Sequence, residues 1–147
     1  MMINRIHIYV NKAKDNAENV YEQLLAIANK ANIEVVQDAK DAQCVISVGG
    51  DGTFLFATRT ALEHNIPLLG INLGRFGYLP YFNADQLEDA IAALNKLVPN
   101  ERLVLKAKIN NDEFLAVNEF VIERKRHERA ARLTAMVFDS DLKSESK

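Results

Sequence analysis

Between the apolar run Cys44-Val45-Ile46 and a segment of helical composition lies Ser47-Val48-Gly49-Gly50-Asp51-Gly52-Thr53. A buried strand, a glycine-dense turn and a helix in that order predict an α/β unit with the turn at a strand's carboxyl end, where ligands bind. Three glycines around one carboxylate predict backbone turning at positive φ and an anion held against main-chain N–H groups. An Asp in such a turn repels phosphate. It makes sense if the anion arrives with a metal ion, or if the carboxylate takes a proton from an attacking hydroxyl. Phosphoryl transfer is the reaction class this implies. A helix-capping Asp would leave the glycines unexplained, and the turn is neither a Walker A loop nor the Gly-x-Gly-x-x-Gly of dinucleotide folds.

The flanking sequence extends the α/β pattern. Residues 5–10, 33–36, 43–48 and 67–72 read as short strands. Residues 16–31 carry a helical stripe (Ala17, Val20, Tyr21, Leu24, Ile27 or Ala28, and Ala31) with Asp15 or Asn16 as N-cap, and residues 53–64 read as a second helix. Residues 83–97 resume helical spacing, with Asn83 and Gln86 placed as a capping box. This alternation predicts an open, mostly parallel sheet with helices on both faces. After Pro99 the character changes. Residues 103–109, 113–117, 120–123 and 133–138 read as strands, with Asn110-Asn111-Asp112 as a hairpin turn. The expected division is an α/β nucleotide-binding domain over residues 1–99 and an incomplete β-rich segment over 100–147.

Composition narrows the partners. The 147 residues are 48% hydrophobic and 26% charged, with a formal charge of −2. Such a balance gives no electrostatic reason to expect nucleic acid or an anionic membrane. The basic run at 124–129 is interrupted by acid and carries no aromatic, so it reads as a solvated hairpin. No signal-peptide pattern or membrane-spanning run stands out, which points to the cytoplasm. The lone Cys44 reads as a small core residue. His7, His64 and His127 lack metal-ligand spacing, and no metal site is expected among the side chains.

A second glycine-bearing loop, Gly70-Ile71-Asn72-Leu73-Gly74-Arg75-Phe76-Gly77-Tyr78-Leu79, leaves the strand at 67–72 and would face the first across one crevice. With Gly-Gly-Asp-Gly-Thr-Phe-Leu, Ala57-Thr58-Arg59 and Ala116-Val117-Asn118-Glu119-Phe120, it makes the chain resemble the NAD kinase family. The first motif is shared with lipid kinases and 6-phosphofructokinases. Lipid kinases tend to place Asn-Glu directly after it, where Phe54-Leu55 stands here.

The resemblance implies transfer of the γ-phosphoryl of ATP to the 2′-hydroxyl of the adenosine ribose of NAD, with Mg2+ as the nucleotide's companion. Asp51 would be the catalytic carboxylate. Gly49, Gly50, Gly52 and Thr53 would cradle phosphate, and Asn72, Gly74 and Gly77 would build the opposite wall. Asn118 and Glu119 would hold NAD through its ribose, with Arg132, or alternatively Arg129, as the basic group that reaches it. Self-association into a homo-oligomer is also implied. The sequence departs from the pattern at Phe56, which reads equally as part of a crevice wall or subunit contact and as a chance exposed aromatic, and at Pro80-Tyr81. It contains no Thr-Gly-Ser-Thr-Ala-Tyr-type motif, which in the family binds NAD. Two alternatives follow: a lipid or sugar kinase of the same superfamily, or a non-catalytic nucleotide-binding module.

Overall fold

A computed structural model describes residues 2–74, 77–96 and 98–121. Five strands, β1 (Arg5–Val10), β2 (Glu34–Val35), β3 (Cys44–Gly49), β4 (Leu68–Asn72) and β5 (Phe82–Asn83), form one sheet. All pairings in it are parallel, in the order β2-β1-β3-β4-β5. Helices α1 (Ala17–Lys30), α2 (Asp51–His64) and α3 (Leu87–Ala93) cover it, and β6 (Leu105–Ile109) with β7 (Asp112–Ala116) makes a separate antiparallel hairpin. The α/β expectation holds for the sheet, and the change after Pro99 is a change to antiparallel pairing.

Strand β3 is buried along its whole length, so its pleat shows how the layers divide. Cys44, Ile46 and Val48 join Ile6, Ile8, Val20, Leu24, Ala28, Ile71, Ala90 and Ile91 in one cluster, which packs α1 and α3 on the sheet. Val45 turns the other way, to Ala57 and Ala61 of α2. Each fully buried Ile or Leu in the larger cluster contributes about 1.5–3 kcal/mol. The buried residues of α2 itself, Thr53, Ala57 and Ala61, are small, and the helix can lie close to the sheet.

The details differ from expectation in three places. Helix α2 starts at Asp51, two residues before the expected Thr53. Helix α3 is seven residues long, because Phe82–Asn83 is drawn into the sheet beside β4. The capping box is half made: Gln86 Oε1 accepts the Asn83 N–H at 3.0 Å, but Asn83 does not cap in return. Phe56 is 52% exposed and stacks on Tyr9 with ring centroids 5.1 Å apart, so its ring has a partner on β1. Phe120 and Val121 carry no strand, and the remainder of that expected strand, the strand at 133–138 and the basic run all lie outside the described residues. Among the described residues no helix is long and apolar enough to cross a membrane.

Cys44 is buried, and desolvation pushes its thiol up to about 12, partly offset by a hydrogen bond with the Leu69 backbone. The thiolate is therefore absent from the folded protein near neutrality. A thiol reagent at pH 8 is expected to label Cys44 only after denaturant is added. Rapid labelling of the native chain would show that this strand opens locally. Between pH 9 and about 12 the unfolded thiol ionises while the folded one does not, so this group's contribution to stability is full below pH 9 and is lost on approach to pH 12.

Candidate functional site

In a sheet of order 2-1-3-4-5 the chain reverses direction between β1 and β3, and the carboxyl ends of those strands flank the crevice where such folds take ligands. Asn11 follows β1 there, and Gly50 follows β3. The Asn11 N–H donates to Val48 O at 3.1 Å, its Oδ1 accepts the Ala13 N–H at 3.1 Å, and its Nδ2 donates to Thr53 Oγ1 at 3.4 Å. Asn11 lies one residue past the strand at 5–10 and carried no expectation of a site role from the sequence. Its place at the site follows from β1 lying beside β3, which the topology alone decides.

Helix α2 begins at the glycine turn. Gly50 is its N-cap and offers no side-chain acceptor, so the first-turn N–H groups lack a side-chain cap. The Asp51 side chain, at the first helical position, reaches across to the second loop. Its Oδ1 accepts the N–H groups of Tyr78 and Leu79, both at 3.0 Å, and its Oδ2 accepts Tyr78 N–H at 3.2 Å. The two glycine-bearing loops thus meet at this carboxylate, on the positive end of α2.

The glycines work differently from expectation. No glycine among the described residues has positive φ. Left-handed positions are taken by Asn16, Asn32, Asn65 and Asn110, whose short polar side chains tolerate that conformation. All six glycines of the chain fall between positions 49 and 77, and what they supply is missing bulk. A Cβ at Gly49 would collide with the Thr53 side chain, which is only 6% exposed. One at Gly70 would lie 2.6 Å from Pro80 Cα and 2.7 Å from Phe54 Cδ2. One at Gly77 would sit 3.3 Å from both Asn72 Cγ and Asp51 Oδ1. At Gly74 a Cβ would make only an ordinary contact, 3.5 Å from Asn72 Oδ1, and at Gly50 and Gly52 it meets nothing within 4 Å. Internal packing does not require glycine at these two positions, beside Asp51, and each leaves space against the backbone.

Asn72, Gly74 and Gly77 gather on the far side of Asp51. Asn72 is 5% exposed and spends both ends of its amide on Gly74, donating to its O and accepting its N–H, each at 3.0 Å. Asn118 and Glu119 do not join this cluster. They line a cleft of about 500 Å³ between β7 and the flank of α2, opposite Leu55, Thr58 and Arg59. Asp51 is not in its lining, but Leu55 lies one helical turn after Asp51 on the same flank. The chemistry is better judged from the carboxylate than from this cleft. Arg129 and Arg132 lie outside the described residues. The N–H groups of Tyr78 and Leu79, now the nearest neighbours of Asp51, are main-chain groups that no side-chain motif could announce.

A sequence model of the ATP-NAD kinase N-terminal domain matches residues 7–102. The chain belongs to the NAD kinase family. It is 32% identical over 127 residues to the NAD kinase of Caldicellulosiruptor bescii, covering 81% of this chain and 49% of that protein. To the Helicobacter pylori NAD kinase it is 36% identical over 102 residues, covering 64% and 36%. To that of Methanopyrus kandleri it is 30% identical over 122 residues, covering 81% and 44%. The chain thus spans between about a third and a half of the length of these NAD kinase relatives.

The contrast among the glycines can be measured. Gly49→Ala is expected to lower unfolding free energy by about 1–3 kcal/mol through overpacking against Thr53. Gly50→Ala should stay within about 1 kcal/mol of the parent, and Gly52→Ala, inside α2, should match or exceed it. Urea denaturation of the three variants decides. Equal destabilisation by all three would mean that the space beside Asp51 is not open.

Proposed function

We propose that this chain carries the phosphoryl-transfer centre of an NAD kinase, moving the γ-phosphoryl of ATP to the 2′-hydroxyl of the adenosine ribose of NAD to give NADP. The observation that carries this is the pair of unfilled Cβ positions at Gly50 and Gly52 on either side of an oriented carboxylate. Space at those positions lets phosphate oxygens approach the uncapped N–H groups at the start of α2. The named relatives are NAD kinases, which favours NAD over a lipid or sugar as acceptor.

In this reading Asp51 is the general base. A carboxylate offers about four lone-pair sites. Oδ1 is occupied by two N–H groups and Oδ2 by one longer contact, so Oδ2 keeps capacity for an incoming proton. The 2′-oxygen forms its bond to the γ-phosphorus as the bond to the β,γ-bridging oxygen breaks. ADP leaves, and the hydroxyl proton passes to Asp51. Thr53 and the first-turn N–H groups of α2 would hold phosphate oxygens. Asn118 and Glu119 would hold the ribose from the neighbouring cleft. Magnesium enters as part of the substrate Mg-ATP, keeping most of its ligands from phosphate and water. A cytoplasmic homo-oligomer is the setting we propose.

The test is NADP formation from NAD and Mg-ATP by the purified chain. Asp51→Asn is expected to lower kcat by about 10²–10⁴-fold, the usual contribution of a positioned base. Equal turnover by both proteins would remove Asp51 from the chemistry. Saturable Mg-ATP binding without turnover by either would favour the nucleotide-binding module.

A further inference from the structure

We propose that Asn72 is a positioning residue for the Asp51 carboxylate, acting through the backbone of the second glycine loop. The proposal rests on the kinase reading for its catalytic consequence, but its geometry stands apart from it.

Asn72 pairs with Gly49 at the carboxyl end of β4, and so sits beside the strand end that launches α2. It is one of three buried polar residues among those described, with Ser47 and Thr53. A buried amide at a strand end in a candidate crevice would ordinarily be read as a ligand contact. Its Oδ1 and one Nδ2 hydrogen are instead committed to the N–H and C=O of Gly74, which closes the backbone into a tight ring two residues past the strand. The same side chain forms the wall behind Gly77. The space where a Gly77 Cβ would stand is bounded by Asn72 Cγ and Asp51 Oδ1 at 3.3 Å each, and by Pro80 Cδ at 3.2 Å. The Cβ side of Gly77 therefore faces both the amide and the carboxylate, and the next two N–H groups, those of Tyr78 and Leu79, are the ones that Asp51 accepts.

Shortening Asn72 removes the ring at Gly74 and the wall behind Gly77 together. The loop can then draw back from α2, and the carboxylate loses the donors that set its direction. Asn72 makes no hydrogen bond to Asp51, so its influence passes through the loop.

The experiment combines NMR-detected amide exchange with steady-state kinetics on the whole chain. In Asn72→Ala the Tyr78 and Leu79 amides are expected to exchange about tenfold faster, the size of one lost hydrogen bond. The Val45 and Ile46 amides of β3 should stay at parental rates. Turnover should drop by about tenfold or more with KM for ATP and NAD within about threefold, the pattern of a misplaced base rather than a lost binding contact. Gly77→Ala, whose added Cβ would crowd Asn72 Cγ and Asp51 Oδ1 at 3.3 Å each, should displace the same contact, reproduce both effects and serve if Asn72→Ala does not fold. Parental exchange at Tyr78 and Leu79 in Asn72→Ala, or in Gly77→Ala where Asn72→Ala does not fold, would overturn the proposal, as would faster exchange spread equally through β3. If the parent shows no turnover while the two amides respond as stated, the positioning of Asp51 holds and the kinase reading fails.

Discussion

The close approach of the α2 N-terminus to the sheet governs the rest of the molecule. At Gly49 the strand backbone lies against Thr53, and at Gly70 it lies against Phe54 and Pro80. A methyl group at either glycine would push the helix or the second loop outward. Because both are absent, Asp51 comes within 3.0 Å of main-chain donors on a loop twenty-seven residues further along. The carboxylate then ties the helix to that loop, and the crevice acquires a fixed wall on each side.

This arrangement joins stability and chemistry in one group. A charged acceptor with several N–H partners is held more firmly than a free surface Asp, since charge-assisted hydrogen bonds are about twice as strong as neutral ones. Under the proposed kinase reading, a firmly held carboxylate is also better placed to receive a proton, because little rearrangement is needed at the moment of reaction. The open backbone at Gly50 and Gly52 contributes nothing visible to packing and leaves space on either side of Asp51.

The β6–β7 hairpin contrasts with this order. Leu105, Ile109, Phe114 and Leu115 are exposed on a two-stranded ribbon, whereas β3 is buried along its whole length. Two strands alone bury too little to be independently stable. The hairpin turn at Asn110, with φ of 56°, sets the β6–β7 register, and that register delivers Asn118 and Glu119 to the cleft beside α2. Distances in this part of the site depend on how the hairpin rests against the helix.

Sequence alone determined the alternation of strands and helices up to Pro99, the hairpin beyond it, and the motif around Asp51. Those features are written in local periodicity and turn chemistry, which neighbouring residues set among themselves. It misjudged the glycines, assigning to positive φ what close contact explains, because bulk tolerance depends on atoms far away in the chain. Nor could it place Asn11 beside Thr53, draw Phe82 into the sheet, or see that Asn72 spends its amide on Gly74. Strand order and the meeting of two loops decide these points, and both are long-range events. The partners of Asp51 are backbone N–H groups, which every residue but proline carries, so only the folded chain could select them.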